Sequence, residues 1–148
     1  MIGRYVVESC ETPYPVRNFV TLGAPNNGVE YQNDCYHQGL IEMTRCQLEN
    51  LFNGLPIFDM YSSFLQRNVG PAGYHRDHKN MEAYLTHSKF LPFLNNEVEH
   101  DNLEKNKERF EQLNHLLLIK FMYDPVVYPM ESSWFGEIDE NGEEIPME

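Results

Sequence analysis

The sequence predicts an α/β fold, on three observations. A short helix signal is followed at once by a strand signal, Val16–Leu22. A second strand signal, Leu116–Tyr123, is a near-continuous apolar run. Between them, from Val29 to about Asn114, the chain reads as helix and loop with no convincing strand. Helix, strand, helical excursion, helix, strand is α/β order. A continuous apolar run of strand length suits a strand covered on both faces, the habit of parallel sheets. The chain thus divides into 1–28 (helix and strand), 29–114 (a mostly helical cap or insertion) and 115–148 (the second strand and a following hairpin). Two buried strands cannot make a sheet with both faces covered, so most of the sheet is expected to be missing from these residues.

Each element has its own justification. Met1 to about Cys10 reads as a helix with Ile2, Tyr5 and Val6 on one face. It lacks the charged region, apolar stretch and small-residue cleavage site of a secretory signal. A chain that opens inside an amphipathic helix, with no cap before it, reads as cut rather than started. Pro13 and Pro15 end that helix. The β-branched and aromatic run Val16–Leu22 then ends in the turn cluster Gly23-Ala24-Pro25-Asn26-Asn27-Gly28. Ile57, Met60, Tyr61, Phe64 and Leu65 fall at i, i+3, i+4, i+7 and i+8. That spacing predicts a helix starting near Pro56 and stopping before Gly70-Pro71. Tyr84 and Phe90–Leu94 form an apolar cluster closed by Asn95-Asn96. A helix over Asn102–Leu113 offers a core only Leu103, Phe110 and Leu113. After the second strand, Ser132–Gly136 reads as a short extended piece, and Asn141-Gly142 as a turn folding an acidic tail back on it.

Composition excludes some functions. Of 148 residues, 41% are hydrophobic and 23% charged, so a packed core is within reach and wholesale disorder is not expected. There are 23 acids against 11 Lys and Arg, a net charge of −12. Nucleic-acid binding is disfavoured, since no basic stripe exists to neutralise phosphates. No apolar run approaches the roughly 20 residues of a bilayer span. Six His would take the charge from −12 to −6 if all were protonated, relieving self-repulsion in an acidic compartment. The acids from Glu137 to Glu148 read as a solvated hairpin or tail rather than a docking site.

The chemistry centres on Asp124. It directly follows the second strand, and in open α/β sheets active sites lie beyond the carboxyl ends of the strands. A carboxylate there can accept a hydrogen bond from a His N–H, fix its tautomer and stabilise the imidazolium formed in acyl transfer. Asp124-Pro125 is equally a turn opener. Ser9, Ser62, Ser63, Ser88, Ser132 and Ser133 do not lie in a Gly-x-Ser-x-Gly elbow, and no His follows His115, so the acid stands without a nucleophile or a base. His75-Arg76-Asp77-His78 has a spacing open to a metal, but no second ligand pair supports it, and exposed loop histidines are expected. His87 and His100 are expected in loops. A Cys35–Cys46 disulfide would close a small loop and contribute about 2–3 kcal/mol. It would leave Cys10 over, and three buried thiols are the alternative.

Gly3–Cys10, Asn18–Val29, Tyr84–Glu97 and Leu117–Asp124 with Ser133-Trp134-Phe135-Gly136 resemble the palmitoyl-protein thioesterases, which are α/β-hydrolases of the lysosomal lumen. Trp-Phe-Gly at its distance after the acid is the most specific block. The resemblance extends over nearly the whole chain. It implies a partial α/β-hydrolase fold: the helix after the nucleophile, a strand, the helical cap and the strand that bears the acid. It implies that Asp124 is the catalytic acid, that the Ser lies a few residues before Met1 and that the His lies beyond Glu148. It also implies a Cys35–Cys46 bridge, an upstream partner for Cys10, a lysosomal or secreted location, S-acylated proteins or acyl thioesters as substrates, and no cofactor.

A full-length relative would hydrolyse long-chain acyl thioesters, with the cap supplying an apolar groove. The Ile57–Leu65 stripe is a candidate for that groove, although packing of the cap onto the sheet explains it more simply. The 148 residues alone are expected to be inactive and to fold poorly, because orphan strands expose edges and apolar faces. Two other readings stand beside this one: a non-catalytic lipid- or partner-binding module, and a hydrolase of oxygen esters.

Overall fold

The computed structural model describes residues 1–30, 59–139, 141 and 143–145. Helix α1 (Ile2–Ser9) leads to strand β1 (Asn18–Leu22). After the undescribed stretch come α2 (Ser63–Asn68), a 3₁₀ turn at Gly70–Tyr74, α3 (Met81–His87), the one-turn α4 (Leu91–Leu94) and α5 (Leu103–Glu111). Strand β2 (His115–Ile119) returns to pair in parallel with β1, Asn18 opposite His115 through Leu22 opposite Ile119. A 3₁₀ turn at Met130–Trp134 precedes the short antiparallel pair β3 (Glu137–Ile138) and β4 (Glu144–Ile145). The α/β order and the doubling-back of the acidic tail are as the sequence predicts. Cys35, Cys46 and Ile57 lie outside the described residues.

Four expectations need correction. First, β2 stops at Ile119, so Asp124 lies five residues beyond the strand rather than directly after it. The cause is the end of β1. Gly23 turns into a left-handed conformation (φ +54°) while its N–H still donates to Ile119 O at 2.7 Å, and no partner strand continues past that rung. Second, the cover on both faces that the continuous apolar run suggests is absent among the described residues: Val20, Leu22, Leu116, Leu117 and Ile119 are exposed, which is what two strands without the rest of a sheet were expected to show. Third, Ser132–Gly136 is not extended: Met130–Trp134 winds as 3₁₀ after Pro129, and Phe135 is left-handed (φ 63°). Fourth, the Met60–Leu65 part of the predicted stripe does not share one helix. Ser62 caps α2, accepting from Leu65 N, so Met60 and Tyr61 precede the helix. Tyr61 turns into the core while Phe64 faces solvent.

One apolar cluster gathers Tyr61, Tyr84 and Leu91, flanked by Met1, Met81 and Ala83, and Val7, Val29, Ala72, Leu94, Val127 and Ile138 are buried as well. Asn80 caps α3 by accepting from Ala83 N at 3.2 Å, and Pro92 in the first turn of α4 needs no amide partner there. Together these aim Tyr84, Leu91 and Leu94 inward. α1 packs against α4 and α5. Its buried face is not Ile2, Tyr5 and Val6, which are exposed, but Arg4, Val7 and Glu8.

Candidate active site

The loop after β1 is held to the segment after β2 by a close set of hydrogen bonds. Fully buried Asn26 donates through Nδ2 to Thr21 Oγ1 (3.2 Å) and Ser133 O (2.9 Å). Asn27 N donates to Ser132 O and Oγ, both at 3.1 Å, and its side-chain amide donates to Phe135 O (3.2 Å). Ser132 Oγ donates to Gly28 O. Ser132 and Ser133 are therefore interior struts. On the β2 side, Trp134 Nε1 donates to Leu118 O (3.1 Å), and Lys120 Nζ pairs with Glu131 (2.8 Å) while lying 4.3 Å from the Trp134 ring centroid. These contacts bring the carboxyl ends of both strands together.

Asp124 sits at that end. Its Oδ1 accepts from Val126 N (2.9 Å) and Val127 N (3.0 Å), the turn-opening geometry of an Asp-Pro. Its Oδ2 takes no hydrogen bond from the described residues and faces Gly23: a Cβ built on that glycine would lie 3.4 Å from it. The carboxyl is half-buried. Thus Asp124 both caps its turn through one oxygen and offers the other at the carboxyl end of the parallel pair. The bend over Lys120–Tyr123 carries it there, with Phe121, Met122 and Tyr123 exposed around it.

A second cluster escaped sequence reasoning. Arg4, only 4% exposed, spends every guanidinium N–H. Nε and one terminal nitrogen bind the Glu8 carboxylate (2.7 and 3.4 Å), and that nitrogen also reaches Leu94 O (2.9 Å). The other terminal nitrogen binds Asn26 O and Asn95 Oδ1. The Phe135 ring covers the cation, 4.8 Å from its centroid. Burial raises the Glu8 carboxyl above its ordinary value, with Arg4 opposing. The sequence signal was an Arg4–Glu8 pair at i, i+4 on the face opposite the apolar one.

Arg76 is the other buried cation. It pairs with Glu97 and Glu137 and stacks 5.0 Å from the centroid of the Tyr84 ring. The Tyr84 hydroxyl donates to Glu97. An open cleft of about 730 Å³ runs between the two arginines and Phe135, but Asp124 does not line it. Both guanidiniums are already matched by carboxylates, so the cleft presents no free charge for a ligand from either.

His75 and His78 are not the exposed loop residues expected, whereas His100 does lie in a loop. His75 is buried, bridges β-fashion to Val29 and stacks on Tyr61 (5.3 Å between ring centroids). Burial lowers its pKa. His78 pairs with Glu30, whose carboxyl is raised chiefly by burial. No group of three or more His, Cys, Asp or Glu with metal-holding geometry occurs among the described residues. His87 is exposed; His100 Nε2 lies 3.1 Å from Phe93 O; His115 Nδ1 lies 2.8 Å from Asn18 Oδ1. None of these approaches Asp124 by a hydrogen bond. Cys10 is half-buried at the end of α1 and forms no disulfide among the described residues.

A family model described as palmitoyl protein thioesterase matches residues 1–148. The chain belongs to this family. Among its relatives, the palmitoyl-protein thioesterase-dolichyl pyrophosphate phosphatase fusion 1 of Schizosaccharomyces pombe is 34% identical over 98% of this chain and 22% of its own length. Palmitoyl-protein thioesterase 1 of Caenorhabditis elegans is 34% identical over 90% of this chain and 41% of its own. Human lysosomal thioesterase PPT2 is 30% identical over 90% of this chain and 41% of its own. The chain therefore spans less than half the length of each. Family membership agrees with the helices and parallel strand pair described above, and no described helix is long and apolar enough to cross a membrane.

Proposed function

We propose that these residues form part of an α/β-hydrolase that cleaves long-chain acyl thioesters from S-acylated proteins, with Asp124 as the acid of a Ser-His-Asp triad. One observation carries the reading: in a chain of this family, Asp124 lies past the carboxyl end of a parallel strand pair with one oxygen fixed by two backbone N–H groups and the other taking no hydrogen bond from the described residues. That arrangement suits a carboxylate that must hold an imidazole in one orientation. The Ser and His are to be sought on segments that the relatives have and these 148 residues do not.

The chemistry follows from the leaving group. Ser oxygen attacks the acyl carbonyl while His takes its proton, and the C–S bond breaks. The departing sulfur receives the proton from His, and water then releases the acyl group by the same route. A thiol near pKa 8.5 leaves far more readily than an amine, so proton delivery matters less in acylation than it does for amides. The Asp124 carboxylate keeps the imidazole oriented in both halves and stabilises its charged form. No cofactor enters these steps. Relatives carry "lysosomal" in their names, and we place this protein in the same compartment.

The test uses the protein expressed from its full coding sequence, assayed on a palmitoyl thioester and on the matched oxygen ester. Asp124→Asn should lower kcat by about 10³–10⁴-fold with the fold intact. Activity within tenfold of wild type would overturn the assignment. Faster turnover of the oxygen ester would replace the thioesterase reading with an esterase one, and inactivity of the wild type on both would leave a non-catalytic module.

A further inference from the structure

We propose that Gly23 is a positioning residue for Asp124: its missing side chain is what lets the Phe121 ring and the uncommitted carboxylate oxygen close over the end of β1. The inference rests on the catalytic reading of Asp124 and adds a residue to it.

Two constraints meet at this glycine. Its φ of +54° is a left-handed conformation that side chains with a Cβ adopt at a cost. A Cβ there would also lie 2.5 and 2.6 Å from two carbons of the Phe121 ring and 3.4 Å from Asp124 Oδ2. The ring contacts are too close for any real atom, so Phe121 would have to move. The Phe121 ring and Asp124 Oδ2 both lie against the same point above Gly23, on the segment that follows β2, so a ring driven off that point changes what packs beside the carboxylate. Asp124 Oδ1 is tied to Val126 N and Val127 N, which leaves Oδ2 as the oxygen for an imidazole N–H. Oδ2 is the one that looks onto the bare Cα of Gly23. Gly28 serves as an internal contrast. It too has a positive φ (88°), but what crowds it is Leu91, the Tyr74 carbonyl and Arg76, all parts of the cap packing. Of these two left-handed glycines, only Gly23 has the acid within reach of where a Cβ would stand.

The test again uses the full-length protein. Gly23→Ala and Gly23→Asn are compared with wild type; Asn tolerates the left-handed backbone, so it isolates the effect of the Cβ. Each should lower kcat on the palmitoyl thioester by about ten- to a hundredfold, the range for a misplaced catalytic group, with KM little changed. The acid limb of the kcat/KM profile should move to lower pH, because an imidazole that loses its carboxylate is harder to protonate. Adding Phe121→Ala to Gly23→Asn removes the ring clash and should recover part of the rate. If Asp124→Ala is inactive while both Gly23 variants keep the wild-type rate and pH profile, the inference is wrong and the catalytic reading survives. If Asp124→Ala is fully active, the catalytic reading itself has failed. If the Ala, Asn and double variants all lose the native circular dichroism and melting transition, Gly23 is a folding residue and the inference is likewise overturned.

Discussion

Arg4→Met is the perturbation that asks most of this structure. The guanidinium joins four separate segments: Glu8 within α1, the Asn26 carbonyl after β1, Leu94 and Asn95 at the end of α4, and the Phe135 ring after β2. Met fills much of the volume and supplies no donor. The Glu8 carboxyl, 3% exposed, is then left unpaired, to stay charged or take up a proton at a cost, and two buried carbonyls lose their partner. Breaking one side of a buried ion pair costs about 3–5 kcal/mol. With a urea m-value of about 2–3 kcal/mol/M, the unfolding midpoint of the full-length protein should fall by roughly 1–2.5 M. Arg4→Lys keeps the charge but has three donors for five acceptor contacts, so it should lose a large part of the same stability. Arg4→Met combined with Glu8→Leu removes the orphaned charge and should recover part of the loss, though the Asn26 and Leu94 carbonyls stay unsatisfied. The assay is equilibrium urea unfolding followed by circular dichroism. A midpoint shift below about 0.5 M for Arg4→Met would refute the claim that this cation ties the four segments together.

Two further outcomes follow from buried polar groups. Asn26→Asp replaces an amide donor with a carboxylate oxygen facing the Ser133 carbonyl inside the fold, and should cost about 2 kcal/mol or more in thermal or urea unfolding; a neutral result would mean that the stitch from Asn26 to Ser133 contributes nothing. His75 and Glu8 should pull the pH dependence of stability in opposite directions. His75, its pKa lowered by burial, stays neutral in the fold where the unfolded chain takes a proton, so its stabilisation is present above about pH 6.5 and is lost as pH falls toward the folded value. Glu8, its pKa raised by burial, keeps its proton in the fold where the unfolded chain has released it, so its contribution is greatest below about 4.5 and is lost as pH rises through the folded value. His75→Gln should therefore flatten the fall in melting temperature between pH 7 and 5; curves parallel to wild type would exclude His75 as its source.

What the sequence disclosed depended on whether the information was local. The strand pair was legible, because β-branched and apolar runs bounded by turn residues mark strands wherever they lie. The chain order then required a parallel crossover. The position of Asp124 past the second run, and its Asp-Pro turn, were legible from the residues beside it. The length of β2 was not, because Lys120–Tyr123 is as apolar as the residues before it; what ends the ladder is the left-handed turn of Gly23, nearly a hundred residues earlier. Helix α1 misled for a similar reason. Ile2, Tyr5 and Val6 form the obvious apolar face, yet the buried face is Arg4, Val7 and Glu8, because carbonyls from Asn26 and Leu94 arrive to satisfy the guanidinium. A hydropathy pattern counts Arg and Glu as surface residues and cannot register acceptors brought by distant loops. The same holds for His75, which pairing with Val29 and stacking on Tyr61 draw inside.

The two kinds of site differ in what holds them. Among the described residues the sheet faces are bare. Val20, Leu22, Leu117 and Ile119 meet water, as does the Ile2, Tyr5 and Val6 face of α1, and the apolar cluster beneath the cap is only three residues deep. Covering a side chain of that size stabilises by about 1.5–3 kcal/mol, so seven uncovered ones forgo a sum comparable to the whole stability of a domain. Among the described residues, the carboxyl end of the strand pair is therefore not held by a hydrophobic sheet interior. It is held by directional bonds: Arg4 to the Asn26 carbonyl, Asn26 and Asn27 to Ser132–Phe135, Trp134 to Leu118, and Gly23 to Ile119. Directional bonds fix position more sharply than apolar contact does, and a triad carboxylate needs position above all. On this argument, changes to that polar lattice should disturb the aim of Asp124 before they disturb the secondary structure around it.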